Sequence, residues 1–226
     1  MTPKLVILSA PSGAGKSTLC DRLLADYPEL TYSVSCTTRP VRGEEEDGVD
    51  YHFISNEAFD RFEAEDAFLE HAEVHGNRYG TLLEPIRRTF RENCSMLMDI
   101  DVAGAEQVRA KIATLPKDDP LRHGFVDIFI LPPSMEELRR RLETRGEDAP
   151  DVIERRIRNA SGEMARAGEF SYRVVNDDLE IAYKELRAIL EYEDAVIGPE
   201  NRTKEELLAS IRKAERAQAA HLSRPQ

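Results

Sequence analysis

The chain has 226 residues, 41% of them apolar and 33% charged, which suits one sizeable folded core and excludes the disordered and fibrous classes. Lys and Arg number 31 against 43 Asp and Glu, a net charge of −12 and the wrong sign for a protein that displaces counterions from duplex phosphates. Residues 181–226 hold 8 basic and 8 acidic side chains, so the deficit lies in residues 1–180, where a small basic pocket is still possible.

No apolar run approaches the roughly 18 residues that span a bilayer. The opening MTPKLVILSA carries one lysine and an apolar stretch too short for a secretory core, so a cytoplasmic chain is expected, with no nucleic acid and no membrane as partner. Cys20, Cys36 and Cys94 are scattered, without a C-x-x-C, and reduced thiols are expected.

In chain order, residues 4–8 form a short apolar run that predicts a fully buried strand. A glycine-rich turn at 9–15 leads into a helix over 16–25, ended by Tyr27-Pro28. Residues 32–36 predict a second strand and residues 51–54 a third. Ser55 or Asn56 then caps a helix carrying Phe59, Phe62 and Phe68, which reads as local core. Residues 96–98 predict a buried strand ending at Asp99-Ile100-Asp101, followed by a helix over 103–113 and a surface loop over 114–125. The apolar strand 126–131 stops at Pro132-Pro133, and Ser134 with Glu137 makes a capping box for a helix through Arg145. Asp151 with Glu154 opens a helix to about 167, residues 173–176 predict the last strand, and amphipathic helices follow over 179–196 and 204–219. Strands alternating with helices predict an α/β fold with a mainly parallel sheet covered on both faces, its ligands at the carboxyl ends of the strands.

Ser9-Ala10-Pro11-Ser12-Gly13-Ala14-Gly15-Lys16-Ser17-Thr18 matches the strand, G-x-x-x-x-G-K-[ST], helix pattern at every place but the first. Glycines let successive backbone N–H groups converge on phosphate oxygens, and the helix that starts at Lys16 adds its positive dipole end. Lys16 supplies a point charge for the β and γ phosphates, and the Ser17 hydroxyl suits Mg²⁺. Ala10 stands where the pattern has glycine, which is tolerable if its φ is negative. Farther on, Arg39 and Arg42 lie three apart in a turn set by Pro40 and Gly43. Guanidinium forks so placed suit a phosphate monoester, with Tyr51 as an extra hydroxyl donor. Composition alone also allows a surface ion-pair patch with the acidic run Glu44–Asp47.

The loop SAPSGAGKST, the segment SCTTRPVR with GVDYHF, the segment FLEHAEVHGNRYGT, the strand end DID, RLETRG with Arg156, and VVNDDL together resemble guanylate kinases in order and spacing. The resemblance covers roughly residues 4–190. It implies the P-loop nucleoside-monophosphate-kinase fold: core at 1–35, 91–136 and 169–196, a GMP-binding insertion at 36–90, a lid at 137–168 and a helical tail at 197–226. It implies transfer of the γ-phosphoryl of ATP to GMP and dGMP in purine nucleotide metabolism, with Mg²⁺ as cofactor.

Residue by residue, the resemblance gives Ala10, Pro11, Ser12, Gly13, Ala14, Gly15, Lys16, Ser17, Thr18 and Asn176 to ATP, Asn176 near the adenine. Ser35, Glu70, Thr81 and Asp101 fall where the family reads guanine. Arg39, Arg42, Tyr51 and Tyr79 fall where it holds the GMP phosphate, with Gly80 beside them for a close backbone approach. Glu70 has its own chemical rationale: guanine presents adjacent N1–H and N2–H donors, which two carboxylate oxygens complement, and adenine does not. Ser17, and Asp99 through water, fall by the metal. Arg145 and Arg156, with Arg141 as a weaker candidate, fall on the lid and join Lys16, Arg39 and Arg42 as the catalytic set. Arg139, Arg140, Arg155 and Arg158 read as a solvated helix face. Asp101 also suits the cap of the following helix, and Asn176 the turn before Asp177-Asp178. His71 and His75 have helical metal-pair spacing but no evident third ligand. A scaffold that binds protein partners, and a P-loop kinase of another metabolite, are the rival readings. The intact cradle opposes the first and the guanine set the second; monomer and homo-oligomer stay equally open.

Overall fold

A computed structural model describes residues 2–146, 148–195 and 203–222, the side chains of 215 and 217–222 excepted. The elements run β1 (Leu5–Ser9), α1 (Lys16–Asp26), β2 (Leu30–Tyr32), β3 (Cys36–Thr37), β4 (His52–Phe53), α2 (Asn56–Ala64), β5 (Phe68–Val74), β6 (Asn77–Leu82) and α3 (Leu83–Arg91). They continue with β7 (Ser95–Asp99), α4 (Val102–Thr114), α5 (Pro120–His123), β8 (Phe125–Leu131), α6 (Met135–Arg145), α7 (Pro150–Ala165), a one-turn 3-10 helix Ala167–Glu169, β9 (Tyr172–Val175), α8 (Leu179–Tyr192) and α9 (Lys204–Leu222).

Five parallel strands in the order β2-β7-β1-β8-β9 make the main sheet. Its central strands are apolar on both faces because helices cover both. Val6, Leu8, Leu97, Ile128 and Ile130 meet Leu19 and Leu23 of α1, Leu186 and Ile189 of α8, and Leu207 and Ile211 of α9. Leu5, Ile7, Met96, Met98, Phe129 and Leu131 face the other way, toward Ile86 of α3, Val108 and Ile112 of α4 and Leu121 of α5. This side-to-side alternation is the period of two that any strand imposes.

A second sheet, in the order β4-β3-β6-β5, is entered after the three residues beyond the carboxyl end of β2. Its small core is Cys36, Phe59 and Phe68, with Phe62 packed against it. The phenylalanine set is therefore local core, although Phe68 lies on β5 and not on the helix expected to carry it. The expected strand over 32–36 divides instead: β2 ends at Tyr32 in the main sheet and β3 starts at Cys36 in the second. The chain changes sheets there, and a run of β-formers carries no mark of that break. Helix α3 ends the expected 36–90 insertion but packs Ile86 on the main sheet's core.

Several boundaries differ from expectation, among them α8, which ends at Tyr192 where a helix to 196 was expected, because the chain turns through Asp194 at a positive φ. The connection over 114–125 contains α5, capped by Asp119 and pinned by buried Leu121. Helix α7 begins at Pro150 rather than at a cap on Asp151, because proline fits the first helical position without needing its N–H. The capping box at α6 is half made: Ser134 accepts from the Glu137 N–H, but the Glu137 carboxylate goes to Arg140 and Arg141. By contrast Thr203 and Glu206 complete theirs, opening α9 as expected. Residues 196–202 and 223–226, the ends of the expected closing helix and tail, lie outside the described residues.

Candidate functional site: a phosphate cradle facing a carboxylate pocket

Strand β1 delivers the glycine-rich loop to the carboxyl edge of the main sheet. Gly13 and Gly15 hold φ of 92° and 89°, the left-handed region that closes the loop, and Gly15 is the N-cap of α1. Ala10 is absent from the residues of positive φ, so its methyl costs the loop no strain, and it packs into the core beside Ala14. Lys16 ion-pairs with Asp99 at the end of β7 and donates to the Ile100 carbonyl at 3.2 Å. These groups line a cleft of about 380 Å³ with Ser12, Ser17, Thr18, Asp101, Arg145 and Glu163. Of the arginines that resemblance places on a lid, Arg156 reaches the loop, donating to Ser12 Oγ at 3.2 Å, and also pairs with Asp148.

Of the four residues that resemblance gives to guanine, Glu70 and Thr81 lie on the second sheet, Ser35 just before β3, and Asp101 at the start of α4. Glu70 on β5 is only 9% exposed and accepts from Thr81 Oγ1 of β6 at 2.6 Å, while Ser35 Oγ lies 3.0 Å from Thr81 Oγ1. Asp101 accepts from the Gly104 N–H at 2.7 Å, capping α4 as composition alone allowed. A Cβ at Gly104 would stand 3.4 Å from both Asp101 Oδ1 and Glu70 Oε2, so the two carboxylates flank one small-residue gap. Burial pushes the Glu70 carboxyl above the usual carboxylate range, although Thr81 favours its charged form, and Asp101 raises it further. Asp101 belongs to both groups and joins the carboxylate pocket to the cleft at the loop.

The arginine turn is pre-assembled. Arg39 is 5% exposed and forks both guanidinium arms onto Glu45, at 3.0 and 2.8 Å, with its carbon 5.4 Å from the Tyr51 ring centre. Glu45 also accepts from the Arg42 N–H, and Arg39 leads the contacts that hold its carboxyl below the usual range. The ion-pair reading of these residues is the one the structure shows, and Glu45 sets the plane of the Arg39 fork. Arg42 is exposed, and Tyr51 and Tyr79 stand edge to face at 6.0 Å. Gly80 has a purpose not expected for it. A Cβ there would come within 2.8 Å of Phe68 and 2.9 Å of His71, so its bareness serves packing within the second sheet.

Arg139 and Arg140 are surface ion pairs with Glu154 and Glu137, as expected of a solvated face. Arg141 is tied to Glu137 and to the backbone of Asn176, and Asn176 is buried beneath the loop. His71 lies on β5 and His75 in its turn, so their spacing is not helical. Among the described residues no three His, Cys, Asp or Glu side chains form a metal cage.

Sequence reasoning missed Glu163 of α7, which lines the cradle, its carboxyl raised by burial and by Asp101. Glu163 sits in no spacing motif, and only the fold brings it to the cleft.

A glycine-rich loop with Lys16 at a helix start, at the carboxyl edge of a parallel sheet and beside a buried carboxylate pocket, is the layout of a P-loop nucleotide phosphotransferase. Comparison with known proteins narrows that class. The family model described as guanylate kinase matches residues 2–193. A guanylate kinase of Mesorhizobium japonicum is 47% identical over 186 residues, 82% of this chain and 81% of its own. One of Nitratidesulfovibrio vulgaris is 46% identical over 199 residues, 88% of this chain and 90% of its own. The crystal structure of guanylate kinase from Anaplasma phagocytophilum superposes with a TM-score of 0.63 at 32% identity, covering 92% of this chain and 95% of that one. The chain belongs to the guanylate kinase family, and its reaction is the ATP-dependent phosphorylation of GMP to GDP.

Proposed function

We propose that this reaction is divided between the two facing groups of side chains as follows. The ATP triphosphate lies in the loop of residues 10–18, where the backbone N–H groups and Lys16 take its β and γ oxygens. GMP lies on the second sheet: Ser35, Glu70, Thr81 and Asp101 hold the guanine edge, and Arg39, Arg42, Tyr51 and Tyr79 hold the phosphate. The observation that carries this reading is the buried Glu70 carboxylate, fixed by Thr81 and standing beside Asp101 of the cradle. A buried acceptor pair is costly unless a ligand supplies donors, and guanine's N1–H and N2–H are two such donors.

An oxygen of the GMP phosphate attacks the γ-phosphorus in line, and the bond from that phosphorus to the β–γ bridging oxygen breaks toward ADP. Positioning and electrostatics supply the acceleration, with no covalent intermediate. Arg145 and Arg156 neutralise charge spread over the transferring group. The oxygen-only donors Ser17 and, through water, Asp99 would hold Mg²⁺ alongside the nucleotide phosphates. Bound there, the ion would neutralise and orient those phosphates.

The insertion at 36–90 and the lid at 137–168, with the start of its first helix staying packed on the phosphate loop, close over both substrates and exclude water, so that ATP is not hydrolysed. Scattering profiles should contract when both nucleotides are added, and unchanged profiles would oppose closure. dGMP is a second acceptor, since no residue of the set is assigned to the ribose 2′-hydroxyl. The protein acts in the cytoplasm, where its three unpaired cysteines stay reduced. The decisive assay offers ATP and Mg²⁺ with GMP, dGMP, AMP, CMP and UMP in turn. GMP and dGMP should be turned over; preferential turnover of AMP would overturn the base assignment.

A further inference from the structure

Asn176, the first residue after β9, makes contacts of an unusual kind for a residue at a ligand edge. It is 5% exposed, and its backbone N–H donates to the Leu131 carbonyl at 2.8 Å. Its Nδ2 donates to the Ala14 carbonyl in the phosphate loop at 2.8 Å. Its own carbonyl accepts from an Arg141 terminal nitrogen at 2.9 Å, and Arg141 Nε donates to Glu137 Oε1 at 2.9 Å. Leu138 and Leu142, on the same helix as Arg141, are fully buried, and each stands 3.0 Å from where a Cβ at Gly13 would be. A Cβ at Gly15 would stand 2.3 Å from Asn176 Nδ2. The loop is therefore held from behind by Asn176 and by α6.

A phosphate cradle needs such backing. Its N–H groups converge on one point, so their dipoles repel each other until an anion arrives. Within a planar trans peptide the carbonyl and the next N–H point in opposite directions. Fixing the Ala14 carbonyl toward Asn176 therefore aims the Gly15 N–H the other way, toward the cleft.

On the reading of the loop given above, we propose that Asn176 is a positioning residue of the cradle: its amide locks the Ala14–Gly15 peptide, and Arg141 ties that lock to α6. This differs from the adenine contact that resemblance implies for the position, and it gives Arg141 a task away from the phosphates. The loop and the first helix of the lid segment then form one preassembled piece, so the affinity of the cradle for phosphate depends on residues that never touch it.

The test is titration calorimetry on the full chain with three ligands: ATP with Mg²⁺, inorganic tripolyphosphate, and GMP. Asn176→Leu keeps the branched outline of the side chain, although it is bulkier, and removes the donor without adding charge. It should weaken ATP and tripolyphosphate by the same factor, about ten- to a hundredfold, and leave GMP unchanged. Arg141→Met, which keeps the Asn176 side chain, should weaken both in the same direction by about three- to tenfold. Loss of ATP binding with tripolyphosphate unaffected would make Asn176 a base reader and overturn the proposal. So would unchanged ATP and tripolyphosphate affinities, or equal weakening of all three ligands, the mark of a general structural role. If Asn176→Leu does not fold, Arg141→Met decides alone, and wild-type affinities for both phosphates would refute the lock. A wild-type chain that binds GMP but neither ATP nor tripolyphosphate would instead refute the reading of the loop itself.

Discussion

Replacing Glu70 by glutamine should move ligand binding and stability in opposite directions. The wild-type carboxylate offers two acceptor oxygens; Oε1 already takes the Thr81 hydroxyl at 2.6 Å, and Oε2 lies beside the gap at Gly104 that Asp101 shares. The amide keeps one acceptor and turns the other into a donor facing a guanine donor. Losing a hydrogen bond to a charged acceptor and leaving a buried donor unmatched costs about 2–4 kcal/mol, or roughly 30- to 1,000-fold in GMP affinity. ATP, held by the loop, should bind as before.

Stability responds with the other sign. Burial first and Asp101 second raise the Glu70 carboxyl, so the folded chain binds that proton more tightly than the unfolded one does. A raised carboxyl contributes stability that is complete below its unfolded pKa, about 4.3 for glutamate, and lost as pH rises through the higher folded value. The neutral amide avoids that loss. Without ligand, Glu70→Gln should therefore melt above wild type at pH 7, and the advantage should fade as pH falls toward 4. Calorimetric titration with GMP and with ATP, together with melting curves across that range, measures both effects. Equal losses for the two nucleotides, or a variant that melts lower at neutral pH, would refute the reasoning.

Lys16→Met should reduce phosphoryl transfer by about a thousandfold or more in a coupled assay, since a charge aimed at the transferring group is lost. Its melting temperature should stay close to wild type, because the lysine's partners Asp99 and Ile100 lie at the edge of an open cleft. Gly80→Ala should destabilise the chain by about 1–3 kcal/mol in urea unfolding, since the new methyl would meet Phe68 and His71 inside 3.0 Å. Thiol titration at pH 8 in native buffer should find one fast-reacting cysteine, Cys94. Burial pushes the Cys20 thiol up to about 12 and the Cys36 thiol up to about 11, and all three should react once the chain is unfolded.

Local chemistry was legible in the sequence wherever neighbouring residues carry it. The loop at 9–18 announces itself because its glycines, lysine and serine serve one ligand from one turn, between a buried strand and a helix. The parallel core was legible because strands buried on both faces read as unbroken apolar runs such as 126–131. Helix caps at Ser55, Asp101 and Ser134 were legible because a cap lies within three residues of the N–H it serves. Resemblance, not spacing, brought Ser35, Glu70, Thr81 and Asp101 together, because they lie on separate elements.

Only the tertiary structure decided where the chain leaves one sheet for the other between Tyr32 and Cys36, since pairing partners, not β-propensity, choose the sheet. It alone decided that Arg39 is already committed to Glu45, that Glu163 reaches the cradle, and that Asn176 lies behind the loop. Each of these depends on side chains that folding brings together, in the case of Asn176 and Ala14 across 162 positions of sequence. Their partners are selected by packing and by the need of buried polar groups for hydrogen bonds, a choice made only when the whole core closes.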